Sequence, residues 1–112
     1  MYYRRNEAFR YTFDPSLPGN FIAQTTPPSR GELQILDLSV KGMKVEIPFH
    51  DYQIGDRMII QFSLVNQQLD VDGQIVWVKK LGRKIQAGLQ LHTSEDMQKQ
   101  LVSELKLYVK QK

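Results

Sequence analysis

Apolar and polar residues alternate with a period close to two over most of this chain. The alternation runs through six short stretches, at positions 9–13, 33–36, 43–47, 58–64, 71–78 and 85–91. Because successive side chains of a strand point to opposite faces, each stretch predicts a β-strand with one buried face. Residues 14–19 (Asp-Pro-Ser-Leu-Pro-Gly) predict a turn, and residues 26–31 (Thr-Pro-Pro-Ser-Arg-Gly) predict a loop. Short strands separated in this way indicate an antiparallel barrel or sandwich.

The C-terminal segment has a different period. The sequence Thr93-Ser94-Glu95-Asp96 is typical of a helix N-terminus, where a hydroxyl caps the first turn and acidic side chains favour the helix dipole. One apolar face then follows at spacings of four, four and three, formed by Met97, Leu101, Leu105 and Tyr108. Polar residues, Glu104 among them, are predicted to lie elsewhere on the helix. The pattern predicts an amphipathic helix over about 94–111, which must pack on the barrel or on a partner.

Composition narrows the class of protein. A chain of 112 residues with 41% hydrophobic residues is one folded domain of ordinary size. It has no cysteine, which excludes disulfides and thiolate chemistry and is compatible with a reducing cytoplasm. No apolar run is long enough to span a membrane, and no secretory signal is visible, so we expect no membrane span. The net charge of +3 slightly favours an anionic partner but is too small to predict nucleic-acid binding.

Neither metal nor catalytic chemistry is expected from the motifs. His50 and His92 are isolated and have no cysteine companion, so no metal site or cofactor is predicted. No nucleophile elbow, phosphate-binding loop or zinc-protease motif is present, so an enzyme is not expected.

Two features of the later strands bear on surfaces. Trp77 shares the alternating face of Ile75, which predicts a place in the core or barrel wall rather than a stacking platform. Four cations surround Gly82 and predict a hairpin tip, namely Lys79, Lys80, Arg83 and Lys84. A solvated turn is the ordinary meaning of such a cluster, and a contact with phosphate or an acidic partner is the alternative.

Two motifs carry the candidate chemistry. Residues 37–42 read D-x-S-x-x-G between two predicted strands, and near the N-terminus Arg5 and Arg10 are separated by four residues, with Arg4 as a rival for Arg5. Together these resemble the signature motifs of the PilZ family, R-x-x-x-R followed by [DN]-x-S-x-x-G. The second motif matches fully, and the first is one residue longer here. Residues 72–78 and 87–91 also look like the later strands of that family.

The resemblance implies a fold and a function. The fold is a six-stranded antiparallel β-barrel, the PilZ-like split barrel, with a C-terminal α-helix, all in one domain. Residues 1–13 are expected to form an arm that leads into the first strand, and residues 14–112 the barrel and helix. The implied function is a cytoplasmic receptor for cyclic di-GMP that relays the signal to an unidentified effector protein, for example in motility or exopolysaccharide control. The implied ligand-binding residues are Arg5, Arg10, Asp37, Ser39 and Gly42, with Arg4 as a further candidate.

These residue types suit a cyclic dinucleotide. An arginine fork can donate two hydrogen bonds to a phosphate or to a guanine edge, and Asp37 can accept from guanine N–H groups. Spacing of two places Asp37 and Ser39 on one side of the chain, with Leu38 in the core. Gly42 is expected to permit a positive φ and close approach of the ligand.

Two other functions stay open. The first is a PilZ-like adaptor that binds proteins but no cyclic di-GMP, as family members without the arginine motif do. The second, less supported, is a basic barrel that binds nucleic acid, for which strong salt dependence would be expected.

Overall fold

The computed structural model describes residues 10–111. They form a closed barrel of six strands, followed by one helix. The elements are β1 (Arg10–Ala23), β2 (Ser29–Ser39), β3 (Gly42–Pro48), β4 (Arg57–Ser63), β5 (Gln68–Leu81), β6 (Lys84–His92) and α1 (Glu95–Lys110). Every neighbouring pair is antiparallel, in the order β1-β2-β3-β6-β5-β4, and β1 closes the barrel against β4. The predicted fold class is confirmed. No helix within these residues is long and apolar enough to cross a membrane.

The predicted turn at residues 14–19 is wrong, because β1 continues through it. Thr12 is opposite Asp37 and Leu17 is opposite Ile35, so residues 13–16 of β1 face the single residue Leu36 of β2. This irregularity accommodates Pro15, which has no N–H to donate to a neighbouring strand. The turn-forming residues therefore bend a strand rather than end it.

The core follows the predicted alternation. The inward side chains of the five later strands are buried, including Leu33, Ile35, Met43, Val45, Ile47, Met58, Ile60, Phe62, Val71, Ile75, Ile85, Ala87, Leu89 and Leu91. The second half of β1 adds Phe21 and Ala23, which the sequence reading did not assign to a strand. Tyr52, in the connection between β3 and β4, packs on the core, with its ring edge-on to Phe21 at 6.3 Å and its hydroxyl 2.8 Å from Oγ of Ser29.

Helix α1 packs on the barrel, one of the two arrangements that the sequence left open. The Ser94 side chain caps it by accepting a hydrogen bond from the Met97 amide at 3.1 Å. Leu101 and Leu105 are fully buried. Tyr108 lies edge-on to Phe13, with ring centroids 5.4 Å apart.

Glu104 was predicted to lie away from the apolar face of the helix, and the structure shows that this is wrong. Its side chain is buried and accepts hydrogen bonds from the backbone amides of Val65 at 3.1 Å and Asn66 at 2.9 Å. A spacing of three from Leu101 places Glu104 on the same face of the helix. The two loop amides supply the donors that a buried carboxylate needs, so Glu104 ties α1 to the β4–β5 connection.

Candidate functional site

The D-x-S-x-x-G segment forms the end of β2, the tight turn and the start of β3. A register irregularity lies between Ile35 and Asp37. It shifts the alternation by one position, so that Leu38 points inward and is fully buried, as predicted. Asp37 and Ser39 consequently lie on the opposite side of β2 from Leu38.

An ion pair joins the two predicted motifs. Arg10 lies opposite Ser39 in the β1–β2 ladder, and its Nη1 is 2.9 Å from Oδ1 of Asp37. Lys44, the register partner of Asp37 on β3, has its Nζ 4.0 Å from Oδ2 of the same carboxylate. The Asp37 side chain is 11% exposed, whereas that of Arg10 is 51% exposed. Two cations therefore meet one carboxylate, which leaves a local surplus of positive charge and unused guanidinium donors at the surface.

Ser39 and Gly42 shape the turn. The Ser39 hydroxyl is buried and accepts hydrogen bonds from the Gly42 amide at 3.1 Å and, more weakly, from the Lys41 amide at 3.4 Å. The positive φ predicted for Gly42 is wrong, since the described glycines with that conformation are Gly55 and Gly82. The close approach of a ligand at Gly42 stays a prediction; the structure places the Arg10 side chain there, since a Cβ added at Gly42 would lie 3.3 Å from Nη2 of Arg10.

Trp77 was predicted in the core or barrel wall, and the structure instead leaves it 40% exposed beside this turn. A register irregularity between Ile75 and Trp77 is the cause. Ile75 remains buried opposite Leu89, and the next paired residue, Trp77, falls on the outer face opposite Gly88. The indole lies over that glycine, where a Cβ would be 2.6 Å from Cδ1 and closer still to two other ring atoms.

These residues border one cleft of about 340 Å³. Its polar wall is formed by Arg10, Asp37 and Lys44, and Trp77 provides its aromatic wall. A larger depression of about 480 Å³ between β1 and β4 has no cation in its lining. The cleft therefore offers cations, a carboxylate acceptor and an indole face to one ligand, a combination that suits a molecule with both anionic groups and planar bases.

The structure brings together some of the predicted site residues. Arg10, Asp37, Ser39 and Gly42 meet at one place, whereas Arg4 and Arg5 lie outside the described residues. Sequence reasoning missed Lys44 and Trp77. Lys44 could have been found from its outward position in the β3 alternation. Trp77 could not, because its side depends on the β5 irregularity.

Comparisons with known proteins agree with this architecture. The family model of the PilZ domain matches residues 4–108. No curated protein matches.

Among solved structures, the inhibitor of motility MotI/DgrA of Bacillus subtilis superposes with a TM-score of 0.72 at 13% identity, covering 96% of this chain and 53% of that one. The PilZ domain of Escherichia coli YcgR with c-di-GMP gives 0.68 at 17% identity, covering 91% and 88%. The c-di-GMP complex of K. pneumonia MrkH gives 0.70 at 10% identity, covering 97% and 56%. The chain thus spans about half the length of MotI/DgrA and MrkH. At these identities the likeness is one of fold.

Proposed function

The chain belongs to the PilZ domain family, and from this premise we propose that it is a receptor for cyclic di-GMP. The observation that carries the proposal is the cleft in which the Arg10–Asp37 pair, Lys44 and Trp77 face one another. Two of the structural neighbours, the PilZ domain of YcgR and MrkH, were solved with c-di-GMP. Their ligand supports the choice among anionic molecules with planar bases.

Arg10 and Asp37 are proposed to bind different groups of the ligand. Asp37 holds the Arg10 guanidinium through Nη1, which orients the remaining donors toward a phosphate or a guanine edge. The same carboxylate has lone pairs left to accept from guanine N–H groups. A lysine at position 10 would keep the charge but lose the planar fork, so the Arg10→Lys variant is expected to bind weakly.

Trp77 and Lys44 complete the proposed site. The exposed indole offers a surface on which a guanine can stack, and such stacking contributes about 1–3 kcal/mol per base. Lys44 adds a point charge for a phosphate. Arg5 and Arg4 stay proposed ligand residues on the strength of the motif.

The signal has a physical route to another surface. Both carbonyls of the two-residue turn between β2 and β3 accept hydrogen bonds from the segment before α1. The Thr93 hydroxyl donates to the Val40 carbonyl at 3.3 Å, and the Leu91 amide donates to the Lys41 carbonyl at 2.9 Å. We propose that occupation of the cleft shifts this turn and changes the surface next to α1, which a cytoplasmic effector protein recognises. The family suggests motility or exopolysaccharide control as the process.

Calorimetric titration with cyclic di-GMP, with GTP and cyclic GMP as controls, tests the proposal. We expect selective binding at micromolar affinity or tighter, about −8 kcal/mol or beyond. Arg10→Ala should weaken binding at least about tenfold, because a charge-assisted hydrogen bond is lost.

The matched control is Arg57→Ala. Arg57 forms an ion pair with Asp72 of the same 2.9 Å length, also half exposed, but outside the cleft. The proposal fails if cyclic di-GMP releases no heat and does not raise the melting temperature, or if both arginine variants lose affinity equally.

One observation favours a ligand-free adaptor as the second candidate. Within residues 10–111 the Asp37 carboxylate and the Ser39 hydroxyl already have protein partners, so the motif also stabilises the hairpin without any ligand. An adaptor predicts that Arg10→Ala leaves effector binding intact and that cyclic di-GMP does not change it. A receptor predicts that effector binding responds to the ligand and that this response disappears in Arg10→Ala.

A further inference from the structure

A second surface lies at one end of the barrel, where the β5–β6 turn meets the start of the β3–β4 connection. We call it the basic tip and define it by Phe49, Ile54, Lys80, Leu81 and Arg83. The Phe49 amide donates to the Arg83 carbonyl at 2.8 Å, and Lys80 Nζ lies 5.8 Å from the centroid of the Phe49 ring. Ile54 and Lys80 share the lining of one open depression. Phe49, Ile54, Lys80 and Arg83 are therefore neighbours, and Leu81 follows Lys80 at the start of the same turn.

Apolar side chains are concentrated at this end. Ile54 is 70% exposed, Phe49 51% and Leu81 40%. Single exposed apolar residues are ordinary and need no explanation. Here, however, three of the eight large apolar side chains that are exposed within residues 10–111 belong to the tip, and two of them, Ile54 and Phe49, are the most exposed of the eight. Apolar residues grouped in this way indicate a surface that contacts a partner.

Unpaired positive charge accompanies these apolar groups. Four cations occur in residues 79–84, and within the described part of the chain only Lys84 among them forms an ion pair, with Glu46 at 3.6 Å. Lys79, Lys80 and Arg83 make none there. Asp51 is the one acidic residue in the depression beside Lys80. Arg83 lines a neighbouring depression with Glu32 and with Glu46, the partner of Lys84. The chemistry that complements this surface is anionic.

The shape of the tip distinguishes a flat partner from a peptide in a groove. Gly82 in the β5–β6 turn and Gly55 in the β3–β4 connection both face open space, since a Cβ added at either would meet no atom within 4 Å. Ile54 precedes Gly55, and Leu81 and Arg83 flank Gly82, so these residues lie at the exposed tips of two turns. Projecting loops with apolar side chains can enter the boundary between lipid headgroups and acyl chains while neighbouring lysines keep their charge at the headgroups.

We propose that the basic tip docks on the surface of an anionic lipid bilayer. Phe49, Ile54 and Leu81 enter the interface, and Lys80 and Arg83 contact the phosphates of the headgroups. The inference does not rest on cyclic di-GMP binding. Trp77 lies four residues before Leu81 along β5, a distance of about 13 Å in an extended strand, and neither Lys80 nor Arg83 lines the ligand cleft.

Co-sedimentation with vesicles of two parts phosphatidylcholine and one part phosphatidylglycerol is the test, with pure phosphatidylcholine vesicles beside it. The whole chain should bind the anionic vesicles only, and binding should fall as salt is raised. Each cation near an anionic surface raises the affinity for the membrane about fivefold, so the double variant K80Q/R83Q should bind the anionic vesicles about 25-fold more weakly. Phe49→Ala should lower the vesicle affinity of the parent protein about fivefold, because the ring no longer enters the interface.

The matched control is K99Q/K106Q, which removes the same charge from exposed positions of α1 and should bind the vesicles like the parent protein. Circular dichroism checks that every variant is folded. Calorimetry with cyclic di-GMP on K80Q/R83Q reports the other site separately.

Three outcomes would overturn the proposal. They are no binding to anionic vesicles, equal loss in the two double variants, and binding of poly-L-glutamate through Lys80 and Arg83 without vesicle binding. The last result would assign the tip to an acidic protein instead.

Discussion

Replacing Gly88 with alanine tests the position of Trp77 directly. The added Cβ would lie 2.6 Å from Cδ1 of the indole and closer to two further ring atoms, whereas carbon atoms in contact lie about 3.5–4.0 Å apart. The ring must therefore leave its place over β6. Because Trp77 is 40% exposed, it can rotate toward solvent, and we expect the fold to survive at a cost of about 1–3 kcal/mol in unfolding free energy.

The same change should affect the ligand. If a guanine stacks on the indole, its displacement removes about 1–3 kcal/mol of binding free energy, which corresponds to an affinity for cyclic di-GMP about 5- to 150-fold lower. Trp77 is the only tryptophan of the chain, so the emission spectrum reports its environment without a label. We expect a shift of the emission maximum to longer wavelength, a lower urea midpoint and weaker calorimetric binding.

Gly31→Ala is the matched control on β2. A Cβ at that position would meet the Phe21 ring at 3.5 Å, an ordinary contact, so emission and affinity should stay unchanged. If Gly88→Ala leaves both the emission maximum and the unfolding free energy unaltered, the indole does not lie over Gly88 and the reasoning is refuted. If the emission maximum shifts but the affinity for cyclic di-GMP is unchanged, the indole does lie over Gly88 but no guanine stacks on it.

Three further substitutions are informative. Glu104→Ala should lower the unfolding free energy by about 2–4 kcal/mol, because two loop amides lose their acceptor. Urea unfolding measures this, and Glu95→Ala at the exposed first turn of the helix should cost less than about 1 kcal/mol, the value of its interaction with the helix dipole. Ser39→Ala should cost about 1 kcal/mol in the same assay by removing the acceptor inside the turn, and an unchanged midpoint would contradict that role. Lys44→Gln should change stability by less than about 0.5 kcal/mol, since its 4.0 Å contact with Asp37 is half exposed, yet reduce cyclic di-GMP affinity several-fold; equal affinity would remove Lys44 from the site.

Much of the fold could be predicted because alternation is a local property. Wherever a strand kept a regular period, as in β3, β4 and β6, the inward residues were assigned correctly from their neighbours alone. The helix could also be predicted from local sequence, because the Ser94 cap and the apolar spacing mark its start and its buried face. Glu104 was placed outward because it is charged, although its spacing from Leu101 puts it on the apolar face; two amides far away in the chain supply the donors that permit its burial.

The candidate site was predictable only in part. Asp37, Ser39 and Gly42 were found together because they belong to one short motif, and Arg10 because a second motif accompanied it. Trp77 was assigned to the wrong side, since one additional residue at Val76 reverses the face of everything that follows until the strand ends. Nothing in the local composition of β5 indicates where that residue is inserted.

By itself, the sequence determined the barrel, the capped helix and the motif that forms the β2–β3 turn, because each depends on side chains a few residues apart. Only the tertiary structure decided which groups share the cleft. Arg10 and Asp37 are separated by 27 positions, and Trp77 is 40 positions beyond Asp37, so their meeting follows from strand register. Register depends on the irregularities in β1, β2 and β5, the first of which accommodates Pro15. These are properties of the packed sheet rather than of any one strand.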